Sequence, residues 1–427
     1  MKAMPMSDPD TAIPHIPVII IGGGQAGLSV SWYLNRDGID HILFERHRRF
    51  QSWRENRWDS FCLVTPNWQC RLPEFPYQGD DPDGFMLRDE IVDYLDAFSA
   101  SFDPPLREGV SVTRVSPLAD GGYRVETTAG TWTTGQVVVA TGGYDQPIVP
   151  PYASAIAPEV VQMHSVDYRR PAQLPEGGTL IVGTGQSGVQ IMEDFHRAGR
   201  PVHLAVGPAP RSPRKYRGRD ATDWLHDMGH YAITIDQHPD PHKALTQTNH
   251  YMSGRDGGKE IDLRKFAVAG VQLYGSMSGA EGTQLRFLPD LEKNLDDADR
   301  SYCGIRDQID AWIKAQGIDA PVEPPFEKVW RPEAEVTEID CAALGITSII
   351  WAIGFRPDYG WLEADCFDAQ GRPVYRRGVT QAPGVYFIGL GWLNTWGSGR
   401  FLGIDDDARY LAQQIAAQAG IGRQAAE

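Results

Sequence analysis

Cysteine is scarce in this 427-residue chain, and what there is does not pair. Cys62, Cys70, Cys303, Cys341 and Cys366 are scattered, odd in number and never in a Cys-x-x-Cys arrangement. That excludes a disulfide framework and a cysteine zinc site, and it fits a reducing compartment, so a cytoplasmic location is expected. Positive charge is also in deficit. Lys and Arg number 40 against 56 Asp and Glu, a formal net charge of −16. Phosphate backbones need basic surface, so no nucleic-acid partner is expected. No apolar run approaches the roughly 20 residues of a membrane span. The opening "MKAMPMSDPDTAIPHIP" has no apolar signal-peptide core, so no membrane partner is expected either. The five histidines His226, His230, His238, His242 and His250 read as loop and surface residues, because His226-x-x-x-His230 lacks the Glu of a His-Glu-x-x-His zinc site. No metal is expected.

What is present is a repeated pattern. "VIIIGGGQAGLSVSWYL" (Val18 to Leu34) and "TLIVGTGQSGVQIMEDF" (Thr179 to Phe195) each run from an apolar, β-branched stretch into Gly-x-Gly-x-x-Gly and then an amphipathic helix. In the first, Gly22, Gly24 and Gly27 allow a tight turn and close backbone approach, with Gln25 and Ala26 opening a helix whose N-terminus faces a pyrophosphate. That helix is expected to stop near Gly38. The strand "HILFE" follows and ends in Glu45, where an acid accepts hydrogen bonds from ribose hydroxyls. Strand, glycine turn, helix, strand and acid together make a full dinucleotide-binding unit.

The second unit repeats Gly183, Gly185 and Gly188, with Gln186 and Ser187 opening its helix. Its next strand, "PVHLAVG", has no carboxylate; Ala205, Val206 and Gly207 stand where the first unit has Glu45. Just beyond comes "RSPRKYRGR". An acid repels a 2′-phosphate and arginines hold one, so the second site is expected to take NADPH, with Arg211 and Arg214 on the phosphate and Lys215 beside them. Two further strands, "QVVVATGGY" with Ala140, Thr141 and Gly142, and "SIIWAIGFR" with Gly354, each end in Ala-x-Gly and are expected to close one sheet beside its nucleotide.

With these residues in place the chain resembles the two-dinucleotide-domain flavoproteins, and among them the flavin-containing monooxygenases and the related YUCCA and N-hydroxylating enzymes. "FQSWREN" is similar to that family's Gly-x-Trp segment, "LVTPNWQCRLP" to the loop under the flavin ring, and "HSVDYR" to its His-Ser-x-x-Tyr linker. The resemblance implies FAD in the first cradle and NADPH in the second. It adds Arg46, Trp53, Arg54, Val112, Gly389, Gly399 and Phe401 to the expected flavin contacts. It makes Asn67 the candidate catalytic amide. One departure is Leu390, which follows Gly389 where the family has an acid.

The fold expected is α/β, with two Rossmann-like domains, the second inserted into the first. Residues 14–150 and 370–427 would form the FAD-binding domain and 151–369 the NADPH-binding domain. Residues 219–330 would be a helical insertion that covers the nucleotide cleft and shapes the substrate site. Leu291, Leu295, Ala298, Tyr302, Ile305 and Ile309 mark a helix face within it. The activity implied is a monooxygenase: NADPH reduces FAD, and reduced FAD activates dioxygen as a flavin hydroperoxide for transfer to a nitrogen, sulfur or carbonyl centre. The partners are then a small-molecule substrate and dioxygen, and a homodimer is allowed. A reductase or oxidase of the same fold, or a flavin-based redox sensor, is the alternative.

Overall fold

Two parallel sheets organise the chain, and the computed structural model describes residues 13–419. The first sheet starts with β1 (Val18–Ile21), β2 (His41–Glu45), β3 (Leu106–Glu108) and β4 (Gln136–Val139). The chain then builds the second sheet from β5 (Val161–His164), β6 (Gly178–Val182), β7 (Val202–Ala205), β8 (Gln272–Tyr274) and β9 (Ile346–Trp351). It returns to the first with β10 (Tyr375–Arg376), β11 (Val379–Thr380) and β12 (Val385–Phe387). The first sheet has the order β10-β11-β12-β4-β1-β2-β3 and the second β5-β9-β6-β7-β8. The second sheet is parallel throughout. In the first, β11 alone runs against the rest, antiparallel to both β10 and β12. The whole second sheet therefore comes from chain lying between two strands of the first.

The central strands are buried on both faces, which is why they read as unbroken apolar runs. The two glycine units fold alike. α1 (Gln25–Arg36) and α2 (Gln186–Arg197) are each 12 residues long and each begins just after the second glycine of its motif. One cluster of buried side chains runs from Ile20 and Leu28 through Tyr168 to Ile181 and Phe195, so both units share a core.

Residues 219–330 do more than insert helices. They hold α3 (Leu291–Gln316), but they also return β8 to the edge of the second sheet beside β7. On α3, Leu291, Leu295, Ala298, Tyr302 and Ile309 are buried as their spacing predicts, while Ile305 is only partly covered. The described residues close with α4 (Ile404–Gln418), where Asp405 accepts a hydrogen bond from Tyr33 of α1 at 2.5 Å.

Candidate active site

The two cradles close in the same way. Gly22 has φ +116° and Gly183 has φ +104°, a region that L side chains rarely adopt. A Cβ on Gly22 would stand 2.5 Å from the Ala140 carbonyl oxygen; one on Gly183 would stand 2.7 Å from that of Ala352. A Cβ on Gly27 would meet the Gly22 oxygen at 2.1 Å, and one on Gly188 the Gly183 oxygen at 1.9 Å. Each Ala-x-Gly strand end thus packs against the glycines of its own cradle. Beyond Ala140, Thr141 is exposed and Gly142 takes φ +71°. The two strand ends also meet each other, because Gln146 pairs with Arg356 and Pro147 with Phe355 just past Gly142 and Gly354. At Gly24 nothing lies within 4 Å of an added Cβ, which leaves open space in front of the N-terminus of α1.

Around the first cradle the Glu45 carboxylate accepts the Gly23 and His47 backbone N–H groups, both at 2.8 Å. Gln25 ties distant segments together. Its Oε1 accepts from the Trp53 indole at 3.1 Å, and its Nε2 donates to the Gly399 carbonyl at 3.3 Å. Trp53 stacks on Phe401, with ring centroids 5.6 Å apart. A Cβ on Gly389 would stand 2.8 Å from Cβ of Ala26, and one on Gly399 would stand 2.9 Å from the Gly389 oxygen. Gln25, Ala26, Trp53, Gly389, Gly399 and Phe401 are therefore brought to one place.

Other expected contacts are engaged elsewhere. Arg46 is largely exposed and pairs with Asp145 at 2.5 Å. Arg54 is committed to Asp96 and to the Arg49 carbonyl. Val112 lies in a small antiparallel sheet, and the residue that reaches back to Glu45 is Val110, whose N–H donates to the Glu45 carbonyl at 2.9 Å.

At the second cradle, register places Val206 where the first has Glu45, directly after β7. The arginines expected to hold a 2′-phosphate are not free to do so. Arg211 is 1% exposed, paired with Asp262 at 3.1 Å and Asp299 at 3.4 Å, and covered by the Tyr302 ring. Arg214 is also 1% exposed; it pairs with Asp220, donates to the Val64 carbonyl at 2.6 Å and lies over Phe85. Lys215 is exposed on a short hairpin with Asp220. Asp262 and Asp299, far along the chain, claim Arg211, while Asp220, directly after the basic run, claims Arg214.

Asn67 is corrected in the same way. It is 4% exposed, its Nδ2 donates to the Asp81 carbonyl at 2.9 Å and its Oδ1 accepts from the Met86 N–H at 2.8 Å. Each end of the amide thus holds the loop in place. Two residues on, Gln69 is 1% exposed, and neither Oε1 nor Nε2 has a hydrogen-bond partner. The Tyr231 phenol lies beside it. Nothing in the sequence separated Gln69 from its neighbours. Cys70 is fully buried, and burial pushes its thiol up to about 12.

A strap from the 219–330 stretch spans the two cradles. The Thr248 methyl lies 3.6 Å from the Cβ position of Gly185, and Met252 exchanges hydrogen bonds with the Gln186 side chain. Between them Asn249 accepts from Arg400, next to the Phe401 stack, at 2.7 Å. Upstream, Tyr231 packs on Trp396 and His238 on Trp392, while the Ile235 N–H donates to the Asn394 carbonyl at 2.6 Å.

Known proteins resemble this arrangement. A family model described as pyridine nucleotide-disulphide oxidoreductase matches residues 19–228. A CzcO-like oxidoreductase of Geobacillus kaustophilus is 29% identical over 402 residues, covering 94% of this chain and 98% of that protein. The indole-3-pyruvate monooxygenase YUCCA4 of Oryza sativa subsp. japonica is 28% identical over 243 residues, 52% of this chain and 55% of that protein. Among solved structures, a flavin-containing monooxygenase from Stenotrophomonas maltophilia superposes with a TM-score of 0.66 at 21% identity, over 95% of this chain and 100% of that one. Fold, family model and related sequences agree with the twin cradles: the chain has the fold of the two-dinucleotide-domain flavoproteins and is similar to flavin monooxygenase-like oxidoreductases.

Proposed function

We propose that the protein is an FAD- and NADPH-dependent monooxygenase acting on a small molecule. The observation that carries this reading is the strap. Residues 248–252 touch Gly185 and Gln186 of one cradle and Arg400, beside Phe401, at the other, so one segment borders both cradles.

The residues fit the two nucleotides. The open space at Gly24 and the N-terminus of α1 suit a pyrophosphate, and Glu45 is placed to accept from ribose hydroxyls. Val206 in place of an acid leaves a 2′-phosphate unopposed, and with Arg211 and Arg214 occupied this missing charge is the whole basis for choosing NADPH. Such a pair of nucleotides would supply hydride transfer and the reduction of dioxygen, from which an oxygen atom would reach a nitrogen, sulfur or carbonyl centre. The chain's own part is positional. Gln25 locks Trp53 to the Gly399 loop. Gln69 offers an unpaired amide to a ligand edge. Tyr231, Trp392 and Trp396 shield the cleft from water, as oxygen transfer requires. Dithiol chemistry lacks support: Cys62 and Cys70 are buried, and burial raises both thiols to about 12. No helix among the described residues is long and apolar enough to cross a membrane, and a cytoplasmic enzyme with a soluble substrate and dioxygen as partners is part of the same proposal.

The test is isotopic. Flavin-loaded protein is given NADPH, ¹⁸O₂ and a panel of amines, thioethers and ketones. One labelled oxygen in a product, with NADPH consumption that depends on that compound, supports the reading. Steady NADPH consumption that ends only in hydrogen peroxide across the panel makes the protein an oxidase, and a single flavin reduction without turnover makes it a sensor.

A further inference from the structure

Methionine is a side chain that an oxygen-activating protein puts at risk, and one methionine of this chain stands apart. Met86 and Met192 are buried in the large apolar cluster. Met163, Met228 and Met277 are half-buried and pack against apolar clusters. Met252 is half-buried as well, but it belongs to none of these clusters. Its sulfur meets a cation instead: Nη1 of Arg214 donates to Met252 Sδ at 3.2 Å. Among the described residues no other methionine sulfur receives a hydrogen bond.

The place of Met252 is as particular as its partner. Its backbone N–H donates to Gln186 Oε1 at 3.2 Å, and its carbonyl accepts from Gln186 Nε2, so the residue is clamped to the first turn of α2. Nη1 of Arg214 carries two hydrogens, and it also donates to the Val64 carbonyl at 2.6 Å. Asp220 holds the rest of that guanidinium. Two residues on, a Cβ at Gly254 would stand 1.8 Å from the Leu63 oxygen. The thioether therefore lies where the start of α2, the 63–64 loop and the strap meet.

Resting on the oxygen-activating reading only for the source of the oxidant, we propose that Met252 is a modification site, a thioether that hydrogen peroxide converts to the sulfoxide beside Arg214. Oxygen activation that fails to reach a substrate ends in peroxide, and the strap borders both cradles. One sulfur lone pair attacks a peroxide oxygen and the O–O bond breaks. The departing hydroxide takes the proton of the transferred hydroxyl and leaves as water. Sulfur loses two electrons and peroxide gains them. The guanidinium N–H groups steady the negative charge that builds on oxygen as that bond breaks. A sulfoxide oxygen is a stronger acceptor than sulfur, and rotation of the flexible methionine end brings it to the same guanidinium. Reductases reverse the change, so the sulfoxide would be an erasable record of NADPH consumed without product.

Flavin-loaded protein is treated with hydrogen peroxide, and the gain of one oxygen at each methionine is followed by peptide mass spectrometry. Met252 is expected to oxidise about fivefold faster than Met163, Met228 and Met277 in the folded protein, and no faster than they do in urea. The proposal is overturned if Met252 has no lead over those three. It is equally overturned if the lead persists in urea, since the neighbouring sequence and not the fold then sets it. In Arg214→Gln the lead should shrink about twofold or more; an unchanged lead in a variant that keeps its flavin overturns the part given to Arg214. If that variant does not hold flavin, the wild-type comparison decides alone. A second arm supplies NADPH and air with no added substrate, and sulfoxide is expected first at Met252. Peroxide release without oxidation of Met252 overturns the proposal. Neither NADPH consumption nor peroxide here, with the lead intact in the first arm, is a failure of the oxygen-activating reading alone.

Discussion

The two cradles share a backbone and differ in charge. Each presses an Ala-x-Gly strand end against its first and third glycines, and each starts a 12-residue helix at the same step. After the following strand they part. The first has Glu45, with two backbone N–H groups on its carboxylate; the second has Val206, whose carbonyl accepts from Asn294 of α3 at 2.9 Å. Backbone shape makes a dinucleotide seat, and one side chain after the second strand decides which dinucleotide suits it.

The largest expected effect tests whether the basic run takes part in that difference. Arg211→Ala leaves Asp262 buried without its cation and Asp299 with Arg264 alone, and is expected to cost about 3 kcal/mol, read as a fall in melting temperature. The NADPH-to-NADH preference of the protein that remains folded should not change. A changed preference with little loss of stability would return Arg211 to the phosphate. Next come the close approaches. Gly27→Ala should lose bound flavin, whereas Gly188→Ala should stay yellow and fail to be reduced by NADPH. Overpacking of this kind costs about 1–3 kcal/mol or more. If both variants lost the same cofactor, the assignment of one nucleotide to each cradle would fall.

The first unit also has an acid with no equivalent in the second. Asp407 on α4 is 2% exposed with Oδ2 unpartnered, and burial raises it from 3.8 to about 6. The folded protein keeps that proton up to about pH 6, while the unfolded chain releases it near pH 4. Stability therefore falls as pH rises through this window and is level above it. Asp407→Asn should flatten the slope and stabilise the protein by about 1–2 kcal/mol at pH 7, checked by urea melts at pH 4.5 and 7. A slope that survives the substitution belongs to another group. The smallest effect sharpens the central difference. Val206→Asp should shift the NADPH-to-NADH preference about tenfold toward NADH, about 1.4 kcal/mol, in steady-state kcat/KM for the two nucleotides. No shift would mean that the residue after β7 does not face the ribose.

The parts of this architecture that could be read from the sequence are those whose reasons are local. The glycine spacing, the apolar strand before it and the helix after it lie within one short stretch, and the paired Ala140 and Ala352 echo was visible as a repeated phrase. The parts that could not be read depend on partners far along the chain. Arg211 looks like part of a phosphate clamp until Asp262 and Asp299 fold onto it. Asn67 looks free until Met86 and Asp81 fold onto its amide. β8 is three residues long, too short to signal a strand, and only the open edge of β7 makes it one.

The split of the first sheet has a consequence for how the protein is made. The second sheet has all its strands once Trp351 has been synthesised, whereas the first still waits for β12, and the Gln25 amide waits for a carbonyl 374 residues later. Domains generally fold as units during synthesis. On the ribosome the order of maturation is thus the reverse of the order of translation: the unit that begins second is complete first, and the one at the amino terminus is held open until the last helix emerges.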